Sequence, residues 1–175
     1  EVFTLAAPGW ASTHERIAIE NRVSELEPDL VVSLSGINDV YLSAIGRDLL
    51  WSRSFGDQPF FDLLLEACRA ARRPLFADVA PLRDQPPLPA AGAQRLAKNA
   101  VLSARALELA GAGFVFALQP NIAWVSKPPS AREKALVDAY RFRAYNQASH
   151  GAIDARLRAI HLPGFGYADL SDVFD

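Results

Sequence analysis

Apolar and polar positions alternate along the chain in blocks of two kinds, short unbroken apolar runs and longer stretches with helical spacing. Val2 to Ala6 is a short apolar run compatible with a buried strand. Pro8-Gly9 punctuates it, and Ser12-Thr13-His14-Glu15 then matches a capping box with Ser12 as N-cap and Glu15 at the third helical position. The helix it opens runs to about Leu26, with Ile19, Val23 and Leu26 on one face, and Pro28 closes it. Asp29 to Ser35 is almost uninterrupted in its apolar character, which predicts a strand buried on both faces, as in a parallel sheet. Gly36-Ile37-Asn38-Asp39 turns the chain, and a short helix is expected from Asp39.

Further on, residues 57 to 72 predict a helix with Phe61, Leu64, Leu65 and Cys68 on one face. Residues 74 to 92 are proline-rich and read as a surface excursion, within which Leu75 to Ala80 could form a short strand. A helix is predicted over 93–110, ended by Gly111 and Gly113. Phe114 to Leu118 is another buried-strand pattern. Ser130-Ala131-Arg132-Glu133 is a second capping box, opening a long helix expected to reach Ile160, with Leu136, Tyr140, Ala144 and Ala148 four apart. Pro163 and Gly164 end it, and Phe165 to Leu170 is the last strand candidate. Strands alternating with helices predict an α/β fold, a three-layer parallel sheet with helices on both faces. Ligands bind such folds outside the carboxyl ends of the strands, so the turns after Ala6 and after Ser35 are where chemistry is expected.

Composition narrows this picture. The 175 residues are one domain's worth of chain, half of them hydrophobic and 22% charged, with no repeat and no low-complexity tract. A net charge of -2 with both signs mixed argues against nucleic acid as a partner. Cys68 is the single cysteine, so no internal disulfide forms, and a reducing compartment is compatible but not required. No apolar stretch reaches the roughly 18 residues of a membrane span. No cofactor is expected, since no phosphate-cradling glycine loop and no metal-ligand cluster is present. The chain starts directly within a predicted strand and lacks methionine, so it is expected to be part of a longer protein.

The Gly36-Ile37-Asn38-Asp39 turn has a chemical use. Gly36 permits a tight turn, and Asn38 can offer a side-chain amide that does not titrate, suited to an oxyanion. Asp39 is placed to cap the following helix. Taken as four residues alone, the turn needs no function beyond turning and capping.

Its setting adds to that. Thr4-Leu5-Ala6-Ala7-Pro8-Gly9 resembles the strand-end block Asn-x-Gly-x-x-Gly of the SGNH (GDSL-type) serine hydrolases. Pro28-Asp29-Leu30-Val31-Val32 followed by Gly36-Ile37-Asn38-Asp39 resembles the next block of that family, one helix later. Phe116-Ala117-Leu118-Gln119-Pro120-Asn121, with Lys127 and Glu133 beyond, is similar to a segment of many bacterial members. Asp169 to Asp175 resembles the approach to the family's last block. The likeness spans essentially the whole chain and implies a single flavodoxin-like SGNH domain over 1–175.

It also implies a Ser-His-Asp triad with an oxyanion hole of three donors. These are the nucleophile's own N–H, the N–H of the turn glycine and the side chain of the Asn. The last two fall on Ala6 and Asn38. Alanine keeps the N–H of the glycine it replaces, and Thr4 stands where the family has Asn. Ile37 and Trp124 are candidates for lining a substrate pocket, although a packed loop aromatic accounts for Trp124 as well. Lys127 could meet an anionic substrate or be a solvated loop lysine.

The family's Gly-Asp-Ser and Asp-x-x-His segments are not within 1–175. Ser33 and Ser35 lie in a predicted buried strand without a Gly-x-Ser-x-Gly elbow, and none of His14, His150 and His161 follows an Asp by three. They read as surface or boundary histidines. The expected function is therefore ester hydrolysis through a serine acyl-enzyme, on a small-molecule or glycan ester, with the triad supplied by other segments of the protein. The family strand leading to the nucleophile would lie between the first two strands predicted here, so those segments also complete the sheet. A carbohydrate O-acyltransferase or deacetylase of the same fold, and a non-catalytic binding or scaffold domain, are the competing expectations.

Overall fold

The computed structural model describes residues 1–45, 63, 66–72 and 88–173. Three parallel strands form its sheet in the order β1 (Leu30–Ser35), β2 (Gly113–Leu118), β3 (Phe165–Asp169). The helices are α1 (Ser12–Ala18), α2 (Ile37–Ala44), α3 (Pro89–Leu109), α4 (Ala131–Ala139) and α5 (Arg143–Arg158). The chain is thus α/β with a parallel sheet. The predicted strand at 75–80, the start of the helix predicted over 57–72, and the side chains of Phe61, Leu64 and Leu65 lie outside the described residues. Residues 66–70 are helical.

In-register pairing places Val31, Phe114 and Phe165 on one sheet face, followed by Ser33, Phe116 and Tyr167, then Ser35, Leu118 and Asp169. The core lies against this face. Phe114, Phe116 and Leu118 are buried there with Leu96 and Leu107 of α3 and Ile153 and Leu157 of α5. α3 is the central helix, touching α1, α2, α5 and β2. Its end is a Schellman motif, with Gly111 at φ 77° and the Ala112 and Gly111 amides donating to the Leu107 and Glu108 carbonyls.

Four expectations are corrected. Val2–Ala6 is not a strand, and Val2, Phe3 and Leu5 are exposed. An apolar run forms a strand only when it pairs with an edge, and among the described residues Val2–Ala6 pairs with neither outer edge of the sheet. β1 is not buried on both faces, because Leu30, Val32 and Leu34 are each more than half exposed. Pro89 belongs to α3 rather than to the surface excursion, occupying the first helical position, where the missing N–H costs nothing.

The fourth concerns the long helix, which is two. Tyr140 breaks it with extended ψ, and Tyr140, Phe142 and Tyr41 pack edge to face around the break. α4 buries none of its residues, whereas α5 buries Asn146, Ser149, Ile153 and Leu157. The break releases α5 from the face that α4 would impose, so Ala144 and Ala148 point outward. The second capping box does form: the Ser130 N–H donates to Glu133 Oε2 at 2.7 Å and the Glu133 N–H to Ser130 Oγ at 3.3 Å. Ser130→Ala is expected to cost about 1 kcal/mol, read as increased amide exchange in the first turn of α4.

Candidate functional site

The carboxyl ends of β1, β2 and β3 open on three loops. After Ser35 the chain turns at Gly36, with φ 116°, directly into α2. A Cβ there would fall 2.5 Å from Leu118 Cδ1, so the turn and the end of β2 are fitted around a missing side chain. Gly36→Ala combines that clash with an unfavourable φ and is expected to destabilise by about 1–3 kcal/mol, measurable by urea unfolding.

Gly36 is the N-cap of α2, not Asp39. Asn38 and Asp39 both reach across to the stretch between residues 7 and 12. Asn38 Nδ2 donates to the Trp10 carbonyl at 2.6 Å. Asp39, fully buried, accepts the Ser12 N–H on Oδ2 at 2.9 Å and the Ser12 hydroxyl on Oδ1 at 2.5 Å. Asp39 therefore secures the start of α1 instead of its own helix.

This explains why the first predicted capping box does not form. Ala11 is the N-cap, and its N–H donates to Nδ1 of His14, the third helical residue. Ser12 is committed to Asp39. Glu15 is committed to the hydroxyl of Ser33, which donates to Glu15 Oε2 across the α1–β1 contact.

Asn99 of α3 supplies the third side of the cluster. Its Nδ2 donates to Ser12 Oγ and to Thr13 Oγ1, both at 2.9 Å. Burial pushes the Asp39 carboxyl up to about 7, against the lowering effect of the two Ser12 hydrogen bonds and with added repulsion from Glu15. Burial likewise raises Glu15, opposed by Ser33 and Ser35. Beside Asp39 a shallow cleft, open to solvent, runs between α2, α3 and α5 and is lined by Ser43, Gly92, Tyr145 and Ser149.

The proposed oxyanion donors stand as follows. Asn38 is half-buried, and one of its two amide hydrogens is spent on Trp10. Ala6 is exposed, immediately before the tight turn in which the Trp10 N–H donates to the Ala7 carbonyl at 3.2 Å. The structure thus joins Asn38 to the turn that follows Ala6. Ile37 is half-buried in the first turn of α2. Trp124 is buried: its indole N–H donates to the Asn146 carbonyl at 2.8 Å and its ring stacks on His150 at 5.1 Å. Lys127 forms an ion pair with Glu133 at 3.4 Å.

A second cluster lies at the end of β3. His150 Nε2 sits 3.0 Å from Asp169 Oδ2, and Asp169 Oδ1 accepts the Ser171 N–H at 2.9 Å. Burial raises the Asp169 carboxyl, but the bonds from Ser171 and His150 outweigh it and hold it below the ordinary aspartate range. Nothing in the spacing of residues 150 and 169 announces this pair. Asn99 was not singled out from the sequence either, although a signal was there: it stands three residues after Leu96 on the buried stripe of α3.

Among the described residues no group of three or more His, Cys, Asp or Glu side chains could hold a metal ion, and no helix is long and apolar enough to cross a membrane. Comparison of the chain with protein-family models, with curated proteins and with solved structures finds no match.

Proposed function

We propose that this chain is the oxyanion-hole portion of an SGNH-type ester hydrolase, with a three-layer sheet completed by other segments of the protein. The observation that carries the reading is Asn38. At the carboxyl edge of a parallel sheet, one amide hydrogen is tied to Trp10, which fixes the orientation of the amide and leaves its second hydrogen to give. A donor held before the reaction stabilises developing charge without reorganising, and that is the main requirement of an oxyanion hole.

The turn after Ala6 lies against the turn after β1, as an oxyanion hole drawing on both requires. Among the described residues β1 pairs only with β2, so its other edge is available for the strand that leads to the nucleophile.

The chemistry is acyl transfer through a covalent intermediate. A serine Oγ on another segment attacks the ester carbonyl carbon while a histidine takes its proton. The carbonyl oxygen becomes an oxyanion held by the Asn38 amide, the Ala6 N–H and the serine's own N–H. Collapse expels the alcohol, which receives the proton, and water repeats the sequence on the acyl-enzyme. Assay of the full-length protein on p-nitrophenyl acetate tests this. Hydrolysis abolished by a fluorophosphonate is the expected result, and absence of hydrolysis across short-chain esters, glycan acetates included, opposes it.

A further inference from the structure

The hydrogen bonds around Asp39 form a chain whose far end is on a different helix. Asn99, rooted in α3 and 2% exposed, donates to both Ser12 and Thr13 at the start of α1. Ser12 in turn gives its N–H and hydroxyl to Asp39 in α2. Asn38, the neighbour of Asp39, closes the loop by donating to Trp10, two residues before Ser12. Two bridges therefore connect the 7–12 stretch with α2, one through Asn38 and one through Asp39, and only the second is anchored to the helix at the centre of the core.

α1 has just seven residues and continues into a π-helical turn, so its own hydrogen bonds fix the position of its start weakly. α3, with 21 residues packed on the sheet, is rigid by comparison. An amide suits the anchoring position. Asn99 can donate to two hydroxyl oxygens at once, and it stays neutral beside a carboxyl group that burial already disfavours as an anion.

We infer that Asn99 is a positioning residue for the oxyanion hole: by clamping Ser12 and Thr13 to α3, it fixes the 7–10 turn against Asn38. The inference rests on the proposed hydrolase reading for its catalytic consequence, but its geometric content stands apart from that reading. Without the clamp, the start of α1 loses its side-chain tie to α3 and keeps those of Asp39 to Ser12 and Asn38 to Trp10. The Trp10 carbonyl then wanders relative to Asn38, and the second Asn38 hydrogen loses its fixed aim. Substrate binding makes no use of this aim; the transition state does.

The test uses the full-length protein and p-nitrophenyl acetate. Asn99→Ala is expected to lower kcat about tenfold with KM within about twofold, the signature of an interaction made in the transition state. In the Asn38→Ala background, Asn99→Ala is expected to lower kcat no further, because a residue that acts through Asn38 has nothing left to position. Additive losses would overturn the inference, since they indicate a general structural role.

Thr13→Val keeps the shape of the side chain while removing one acceptor of Asn99. It covers the case in which Asn99→Ala fails to fold, and a kcat loss of about threefold is expected. The side-chain amide hydrogens of Asn38, followed by NMR, give a readout independent of activity. Their protection should fall in Asn99→Ala or Thr13→Val, and unchanged protection in a folded variant contradicts the inference. Full turnover in Asn38→Ala alone would instead remove Asn38 from the oxyanion hole and overturn the catalytic half of the inference, leaving the NMR result to decide on the clamp.

Discussion

Replacing Asn38 by alanine in the full-length protein is expected to lower kcat for ester hydrolysis by about 10²–10³, the equivalent of about 2.7–4 kcal/mol of transition-state stabilisation. KM should change little, because the ground-state carbonyl makes far less use of the donor than the oxyanion does. The fold should survive. The lost bond to the Trp10 carbonyl costs about 1 kcal/mol, so thermal unfolding should shift by a few degrees at most. Asn38→Asp separates shape from charge. The carboxylate is nearly isosteric but can only accept, so it repels both the Trp10 carbonyl and the oxyanion, and its turnover should be at least as low as that of the alanine variant. Turnover within about threefold of the parent in both variants would remove Asn38 from the mechanism.

The second large effect is a pH-dependence of stability located at Asp39. Its carboxyl is displaced upward to about 7 from an ordinary 3.8. Between those values the folded state keeps a proton that the unfolded state has released. Stability is therefore fully present below about pH 4 and falls as pH rises toward 7, each unit of displacement corresponding to about 1.4 kcal/mol. Glu15, also raised, adds a slope of the same sign.

Asp39→Asn removes the titration and stands in for the protonated acid, but it brings into a buried site a second amide hydrogen that the acid does not have to satisfy. The variant should be less stable than the parent by about 1–3 kcal/mol near pH 4. That deficit should shrink as pH approaches 8, where the parent must bury an anion next to Glu15. Urea unfolding at pH 4, 6 and 8 measures both curves. A constant difference between them across the range would contradict the assignment of the slope to Asp39.

The strands of the sheet were legible in the sequence as apolar runs. Phe114 to Leu118 and Asp29 to Ser35 both form strands within a residue of expectation, although only the first is central and the second leaves Leu30, Val32 and Leu34 more than half exposed. The same rule misled at Val2–Ala6. Strand formation needs a hydrogen-bonding partner as well as apolar side chains, and a local pattern says nothing about partners.

The capping box at Ser12 failed for a related reason. Ser and Glu at that spacing are suited to a local cap, but both side chains obtained better-buried partners, Asp39 and Ser33, from distant parts of the chain. At Ser130, on an exposed helix, the local rule prevailed even though Glu133 also pairs with Lys127.

Within the candidate site, the turn at Gly36 could be read in advance, because glycine is the residue that adopts a φ of 116° without strain. The role of Asp39 could not. Its partners are set by how α1 lies over α2, which no local periodicity encodes. Asn99 was passed over, although a polar residue on an apolar stripe must find a buried partner. The pairing of His150 with Asp169 depends on the exact rotation of α5, which the break at Tyr140 controls.

The central claim is that this chain serves a serine acyl-enzyme whose nucleophile lies on another segment of the protein. Fluorophosphonate labelling of the full-length protein, followed by mapping of the modified peptide, tests it most directly. The account predicts one label per molecule, on a serine outside residues 1–175, formed at least about a hundredfold more slowly in Asn38→Ala. An unlabelled protein, or a label on a serine within this chain, would contradict it.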